Sequence, residues 1–322
     1  MTALDFSDIQ AARQMLKEVT INHPLQSSRT FSEMAGCQVF LKPECLQKNG
    51  SHKLRGAYYM LSKLQPQQRA KGVVTFSAGN WAQGAAYAGS LLNIPVTVIM
   101  PEAANPKKAA ATRGYGGEVI LFGRDSTQLF NRAQSLAAEK GALLVNPLDN
   151  PDLMIGLASL GLEMLEGEPG LEALVVPVGG GGLIAGIASA VKHLAPAVKV
   201  YGVQPHGASA MVRSLEAGRA VEIDQVQTIA DGLAVKKPSQ KTVDVIKETV
   251  DQVVLVSDEE IKEAIFLLLE RAKLVVEPAG AASLAAVLNR RLPDLAGKKT
   301  AVLLTGGNVD FQLLAQIVTS HA

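Results

Sequence analysis

Seven short, nearly continuous apolar runs, separated by longer alanine- and leucine-rich stretches, constrain this chain more than any other feature of its sequence. The runs are Gly72–Phe76, Val96–Met100, Glu118–Phe122, Ala142–Val145, Ala173–Val178, Val198–Val203 and Thr300–Leu304. They are rich in β-branched residues, and the stretches between them carry helical period. Strands this apolar are buried on both faces, which implies parallel pairing with helices on either side. The predicted class is α/β, with open, twisted, mostly parallel sheets flanked by helices. Residues 72–146 hold four strand–helix alternations, enough for a unit of their own. The segment Asn146–Asp152 is rich in turn residues and reads as a crossing point. The first ~50 residues are too few to fold alone and are expected to pack on the later part.

Composition excludes several partners. The 322 residues carry 31 basic and 30 acidic side chains, a formal charge of +1. Such a chain has no global field for nucleic acid or an anionic membrane, so any anion it binds must be held by a local device. Aromatics make up only 4% of the chain, too few for a base-stacking platform. Cys37 and Cys45 cannot build a disulfide framework and lack the spacing of a zinc site. They are expected to be free thiols in a reducing cytosol. The first residues carry acids and no apolar signal segment, and no window approaches the ~18 apolar residues of a membrane span. A cytoplasmic protein with a small-molecule partner is expected.

Ligand sites in open α/β sheets lie at the C-terminal ends of strands, so the strand-to-helix turns are where chemistry is expected. The run ending at Val178 enters Gly179-Gly180-Gly181-Gly182 and then an apolar helix. Four glycines let backbone amides converge on an anion at the positive end of a helix, which makes a phosphate cup. Positions 180, 182 and 185 fit G-x-G-x-x-A, but the next strand ends Val203-Gln204 without the acid of a dinucleotide site. A second turn, Asn49-Gly50-Ser51-His52-Lys53, puts Lys53 in the first turn of a helix. A cation there opposes the helix dipole, which lowers an amine's pKa and suits a nucleophile, so Lys53 reads either as a nucleophile or as one more solvated lysine, the commoner case. A third, Ser77-Ala78-Gly79-Asn80-Trp81, offers either amides for a carboxylate or a side-chain cap from Ser77 or Asn80. A fourth begins at Thr305, a hydroxyl that either meets a ligand or merely ends a strand. Together these parts suit a phosphate-bearing cofactor with a reactive carbonyl, as pyridoxal phosphate is.

These residues also carry a family resemblance. Ser51-His52-Lys53-Leu54-Arg55-Gly56-Ala57 resembles the S-F-K-x-R-G-A motif of the threonine/serine dehydratases and serine racemases, fold-type II pyridoxal-phosphate enzymes. Ser77–Asn80, Pro177–Leu183, Ile229–Gly232 and Thr305–Asp310 match in the same order. The resemblance implies a large cofactor-binding domain of residues 1–55 and 147–322 and a small substrate-side domain of 56–146. It implies that Lys53 carries the cofactor covalently and moves the α-proton. Asn80 would hydrogen-bond the phenolic oxygen, the backbone of Gly179, Gly180, Gly181 and Gly182 would bind the phosphate, and Thr305 would meet the pyridine nitrogen. Gly232 would lie against one face of the ring, while Ser77, Ala78, Gly79, Asn80 and Trp81 would hold the substrate. The implied reaction is β-elimination of water from a β-hydroxy-α-amino acid, releasing an enamine that hydrolyses to a 2-keto acid and ammonia. The alternatives are β-replacement and a non-catalytic cofactor- or amino-acid-binding protein. A homodimer or homotetramer is implied.

Four departures from the family pattern refine this expectation. His52 replaces the phenylalanine that packs on the cofactor, and can stack, hydrogen-bond or titrate. Trp81, the single tryptophan, replaces a histidine, which points either to a pocket for a bulkier substrate such as phenylserine or to helix packing. Ala78 stands where racemases carry a serine on the opposite face, so racemisation is not expected. Gln204 and Ala210 replace acids of a divalent-metal segment, so no metal site is expected there. The chain also ends soon after its last strand, leaving no expected regulatory domain.

Overall fold

The computed structural model describes residues 4–148 and 150–321. Asp149, within the turn-rich segment at 146–152, lies outside the described residues. Among the described residues ten strands form two sheets: β1 Gln26–Ser28, β2 Gln38–Pro43, β3 Val73–Phe76, β4 Val96–Met100, β5 Glu118–Leu121, β6 Leu143–Val145, β7 Ala173–Pro177, β8 Lys199–Pro205, β9 Gln252–Val256 and β10 Lys299–Leu304. The larger sheet has the order β1-β2-β10-β7-β8-β9, and the smaller has β5-β4-β3-β6. Every pairing is parallel except β1 with β2. The fold is therefore the two-sheet α/β architecture expected from the apolar runs.

Helices α1 Phe6–Leu16, α2 Arg29–Ala35, α3 Lys53–Ser62, α4 Pro66–Lys71, α5 Asn80–Leu92, α6 Pro106–Gly114 and α7 Ser126–Lys140 belong to the first half. They are followed by α8 Pro151–Gly167, α9 Gly182–Leu194, α10 Ala210–Ala217, α11 Gln240–Thr249, α12 Asp258–Leu267, α13 Pro278–Leu288 and α14 Phe311–His321. Their limits follow local chemistry. Asp125 accepts from the Gln128 amide at the start of α7, and Gly141 ends that helix with φ of 61°. Ser257 and Glu260 close a reciprocal box at the start of α12.

Three strands were not read from the sequence. β1 and β2 extend the larger sheet past β10, so the N-terminal residues are tied to the C-terminal strand. β9 forms its other edge. Strands β4 and β7 are buried along their whole length, and burial of that apolar surface on both faces is the main stabilising term. Both cysteines are buried free thiols. Among the described residues no helix is long and apolar enough to cross a membrane.

The helices of the two sheets meet at close range. Gly156 on α8 lies so near α3 that a Cβ there would come within 2.7 Å of the Arg55 carbonyl oxygen. Gly84 on α5 would place a Cβ 2.9 Å from Lys53 Cβ. These approaches pin α3 between α5 and α8.

Candidate active site

Every site residue named from the sequence lines one cavity of about 490 Å³. That volume lies within the range of small-molecule sites. It opens where the C-terminal ends of β3 and β4 face those of β7 and β10, at the position expected for open α/β sheets.

Lys53 is the first residue of α3. The segment before it is fastened to the chain that leaves β10. Ser51 and Gly306 form an antiparallel bridge, the His52 amide donates to the Thr305 carbonyl at 3.0 Å, and the Gly307 amide donates to the Gly50 carbonyl at 2.9 Å. Desolvation in the cleft holds the Lys53 ammonium below the usual lysine value, and nearby Glu277 opposes that shift. The amine thus carries a larger neutral, nucleophilic fraction than a surface lysine.

His52 is 5% exposed. Its Nδ1 lies 3.0 Å from the Thr305 carbonyl oxygen, which can only accept, so Nδ1 carries the hydrogen. Nε2 is buried and without a protein partner. Burial, and then the charge of Lys53, hold the imidazole well below its usual value, so the ring is neutral at physiological pH. Of the roles open to His52, hydrogen bonding is the one the geometry displays.

The glycine cup follows β7. Gly181 precedes α9 with φ of 93°, and a Cβ there would meet Met211 Cε at 2.7 Å. A Cβ at Gly180 would meet Leu148 Cδ2 at 2.7 Å. Side chains are therefore excluded from the turn, and the first amides of α9 have no partner within the helix. Thr242 fixes the loop by donating from Oγ1 to the Gly180 carbonyl at 2.9 Å. Gly232 stands opposite, its carbonyl 3.1 Å from where a Gly179 Cβ would lie.

The third turn opens α5. Gly79, not Ser77 or Asn80, occupies the cap position, and no side chain caps the helix. Ser77 Oγ accepts from the Gly79 amide at 3.1 Å, shaping the loop. The leading amides of α5 are thereby left to a ligand. Trp81 is 5% exposed, and its Nε1 donates to Thr75 Oγ1 at 2.9 Å. The indole lines the cavity yet is anchored to β3, so it is a fixed wall with a packing role.

Several lining residues were not assigned from the sequence. Glu277 precedes α13, and Asn80 Nδ2 donates to its Oε1 at 2.6 Å. Burial, and then the charge of Asp231, raise its carboxyl to about 7. Lys108 of α6 pairs with Asp231 across the cleft mouth. Asn105 Nδ2 donates to Asp310 Oδ2 at 2.8 Å beside it. Gln204 caps α10 by accepting from the amides of Met211 and Val212, each at 3.1 Å. Among the described residues no group of three or more His, Cys, Asp or Glu converges on a metal position.

A primary amine, a side-chain-free amide cradle, a neutral hydroxyl at Thr305 and a second helix N-terminus fit pyridoxal phosphate with an amino acid. The comparisons with known proteins agree. The L-threonine ammonia-lyase of Thermotoga maritima is 43% identical over 98% of this chain and 78% of its own length. The phenylserine dehydratase of Ralstonia pickettii is 41% identical over 98% of this chain and 96% of its own. The processed form of threonine deaminase isoform 2 from Solanum lycopersicum superposes with a TM-score of 0.92 at 33% identity, covering 98% of this chain and 92% of that one. The model of the family described as pyridoxal-phosphate dependent enzyme matches residues 16–306. The chain belongs to the pyridoxal-phosphate dependent enzyme family.

Proposed function

We propose that this protein is an ammonia-lyase that eliminates water from threonine or serine, releasing an enamine that takes up water again and hydrolyses to a 2-keto acid and ammonia. The observation that carries the reading is the placement of the Lys53 amine in one cavity with two helix N-termini, one at the glycine cup and one at Ser77–Asn80. Pyridoxal phosphate, when bound, supplies an electron sink for the carbanion formed at Cα. Gly179–Gly182 would hold its phosphate through backbone amides, and Thr305 would face the ring nitrogen with a neutral hydroxyl. A hydroxyl does not hold that nitrogen protonated as a carboxylate would, which favours prompt loss of a β-leaving group over transamination. Ser77, Gly79 and the leading amides of α5 would hold the substrate carboxylate, with Trp81 as a wall. Lys53 would take the α-proton from one face. Ala78 offers no hydroxyl for the other face, which favours elimination over racemisation.

A β-arylserine is the second reading. The apolar wall formed by Trp81, Leu153 and Leu157 favours it. Keto-acid formation from threonine, serine, phenylserine and their β-chloro analogues, with and without a thiol, tests both. The first reading expects turnover of threonine or serine with ammonia released in equal amount. No keto acid from any β-hydroxy substrate would refute the lyase, and a thioether product would favour β-replacement.

A further inference from the structure

Asn80 is a cavity residue whose side-chain amide is held at both ends by neighbouring side chains. A carboxamide has two hydrogens on nitrogen and one oxygen acceptor, and the two ends are distinguished only by what surrounds them. Asn308 Nδ2 donates to the Asn49 carbonyl at 3.0 Å and to Asn80 Oδ1 at 2.8 Å. Turning the Asn308 amide over would set its oxygen against two acceptors, so its nitrogen must face them. That fixes Asn80 Oδ1 as an acceptor toward Asn308. With Oδ1 so fixed, Asn80 Nδ2 faces Glu277 Oε1 at 2.6 Å, and the ionised form of Glu277 accepts that hydrogen. Both neighbours therefore select the same orientation. One N–H of Asn80 is left for a ligand.

The supports are themselves fixed. The Glu277 amide donates to the Gly306 carbonyl at 3.0 Å. A Cβ at Gly306 would overlap Glu277 Oε1, so position 306 is kept clear for the carboxylate. Gly50, with φ of 72°, is likewise filled from outside: a Cβ there would meet Asn308 Oδ1 at 2.5 Å. Two glycines and two side chains thus serve the direction of one amide.

We propose that Glu277 and Asn308 are positioning residues that lock Asn80 as a one-sided hydrogen-bond donor toward the ionised phenolic oxygen of the bound cofactor. The proposal rests on the reading that Asn80 meets that oxygen. A locked donor stabilises the ionised oxygen over the neutral hydroxyl, whereas an amide free to turn presents its own oxygen part of the time. A hydrogen bond to a charged group contributes about 1.5–3 kcal/mol, which is a roughly 10- to 100-fold bias between the two forms.

The test uses the holoenzyme and its absorption spectrum without substrate. The lysine-bound cofactor absorbs in the visible when the phenolic oxygen is ionised and in the near ultraviolet when it is neutral. Asn80→Ala, Asn308→Ala and Glu277→Ala are each expected to lower the visible-to-near-ultraviolet ratio by about tenfold or more. Glu277→Gln, whose side-chain oxygen can still accept from Asn80, is expected to keep the ratio within about threefold of the parent. Melting curves and cofactor content identify folded, loaded protein. If Glu277→Ala does not fold, Asn308→Ala and Glu277→Gln carry the test. A low ratio in Asn80→Ala with a parental ratio in Asn308→Ala overturns the positioning role and leaves the Asn80 reading standing. A parental ratio in Asn80→Ala removes that reading and the proposal with it.

Discussion

Replacing Arg55 by methionine should destabilise the protein by a margin that the structure allows to be worked out. Arg55 lies two residues after Lys53 on α3 and is fully buried. Its Nε and Nη2 donate to Glu44 at 2.9 and 2.8 Å, and its Nη1 and Nη2 donate to Glu163 at 2.8 and 2.9 Å. Glu163 keeps Lys42 at 2.8 Å and Arg13 at 3.5 Å when Arg55 is lost. Glu44 loses both of its bonds to the guanidinium. Stranding one partner of a buried ion pair costs about 3–5 kcal/mol. With an unfolding entropy of about 2.1 cal/mol/K per residue over the whole chain, ~4 kcal/mol lowers the melting temperature by about 6 °C.

The double variant Arg55→Met/Glu44→Leu removes the stranded charge as well. Replacing a buried pair by apolar groups is close to neutral, so the double variant should regain at least half of the loss. Calorimetry of the holoenzyme near neutral pH reads both. A fall of less than about 2 °C for the single variant would refute the reasoning. So would a double variant that melts as low as the single one.

Gly84→Ala brings a Cβ against Lys53 Cβ and should lower kcat/KM by about 10- to 100-fold while the far-ultraviolet dichroism stays parental; parental turnover would contradict the tight α3–α5 contact. His52 is held neutral by burial, so the unfolded chain binds a proton below its ordinary value of about 6.5 while the folded chain does not. Stability contributed at this site is therefore full above pH ~6.5 and falls as pH drops below it, and His52→Phe should flatten that part of a melting-temperature profile. An unchanged profile would count against a neutral buried ring. Lys108–Asp231 and Asn105–Asp310 join the two sides of the cleft, so Asp231→Asn/Asp310→Asn should raise KM up to about fivefold with kcat nearly kept. An unaltered KM would show that these contacts do not hold the cleft closed.

What the sequence revealed and what it concealed divide along physical lines. Runs buried on both faces are apolar throughout, which made β3, β4, β7, β8 and β10 legible. β5 and β6 are partly exposed edge strands of the smaller sheet, not buried on both faces as expected, and were legible from their apolar composition alone. β9 carries the same pattern, Gln252-Val253-Val254-Leu255-Val256, and was open to the same reading. β2 was harder, because its apolar run is broken by Lys42, whose buried ammonium is met by Glu163, on a helix far along the chain, and by Asn22 and the His23 carbonyl. The turns bearing Lys53, the four glycines and Thr305 could be found because their backbone chemistry is local. Glu277 could not: an acid before a proline reads as a helix start, and only the closure of both sheets over it creates its burial. The same holds for Asn308, whose partners Asn49 and Asn80 are remote in sequence. Trp81 lines the cavity, and its tie to Thr75 depends on the turn between β3 and α5.

The fastening of residues 50–52 to residues 305–307 has a consequence for how the protein is made. His52 and Thr305 are separated by 253 positions in the chain. At about 5–20 residues per second, a ribosome that has just finished Lys53 needs roughly 13–50 s to deliver the segment that borders it. Through that interval the backbone before Lys53 lacks the partners that fasten it in the finished fold. Contacts this distant in sequence also form late because their loop-closure entropy is charged before any reward arrives. The final placement of Lys53 at the cavity is thus completed only when the last strand has been made.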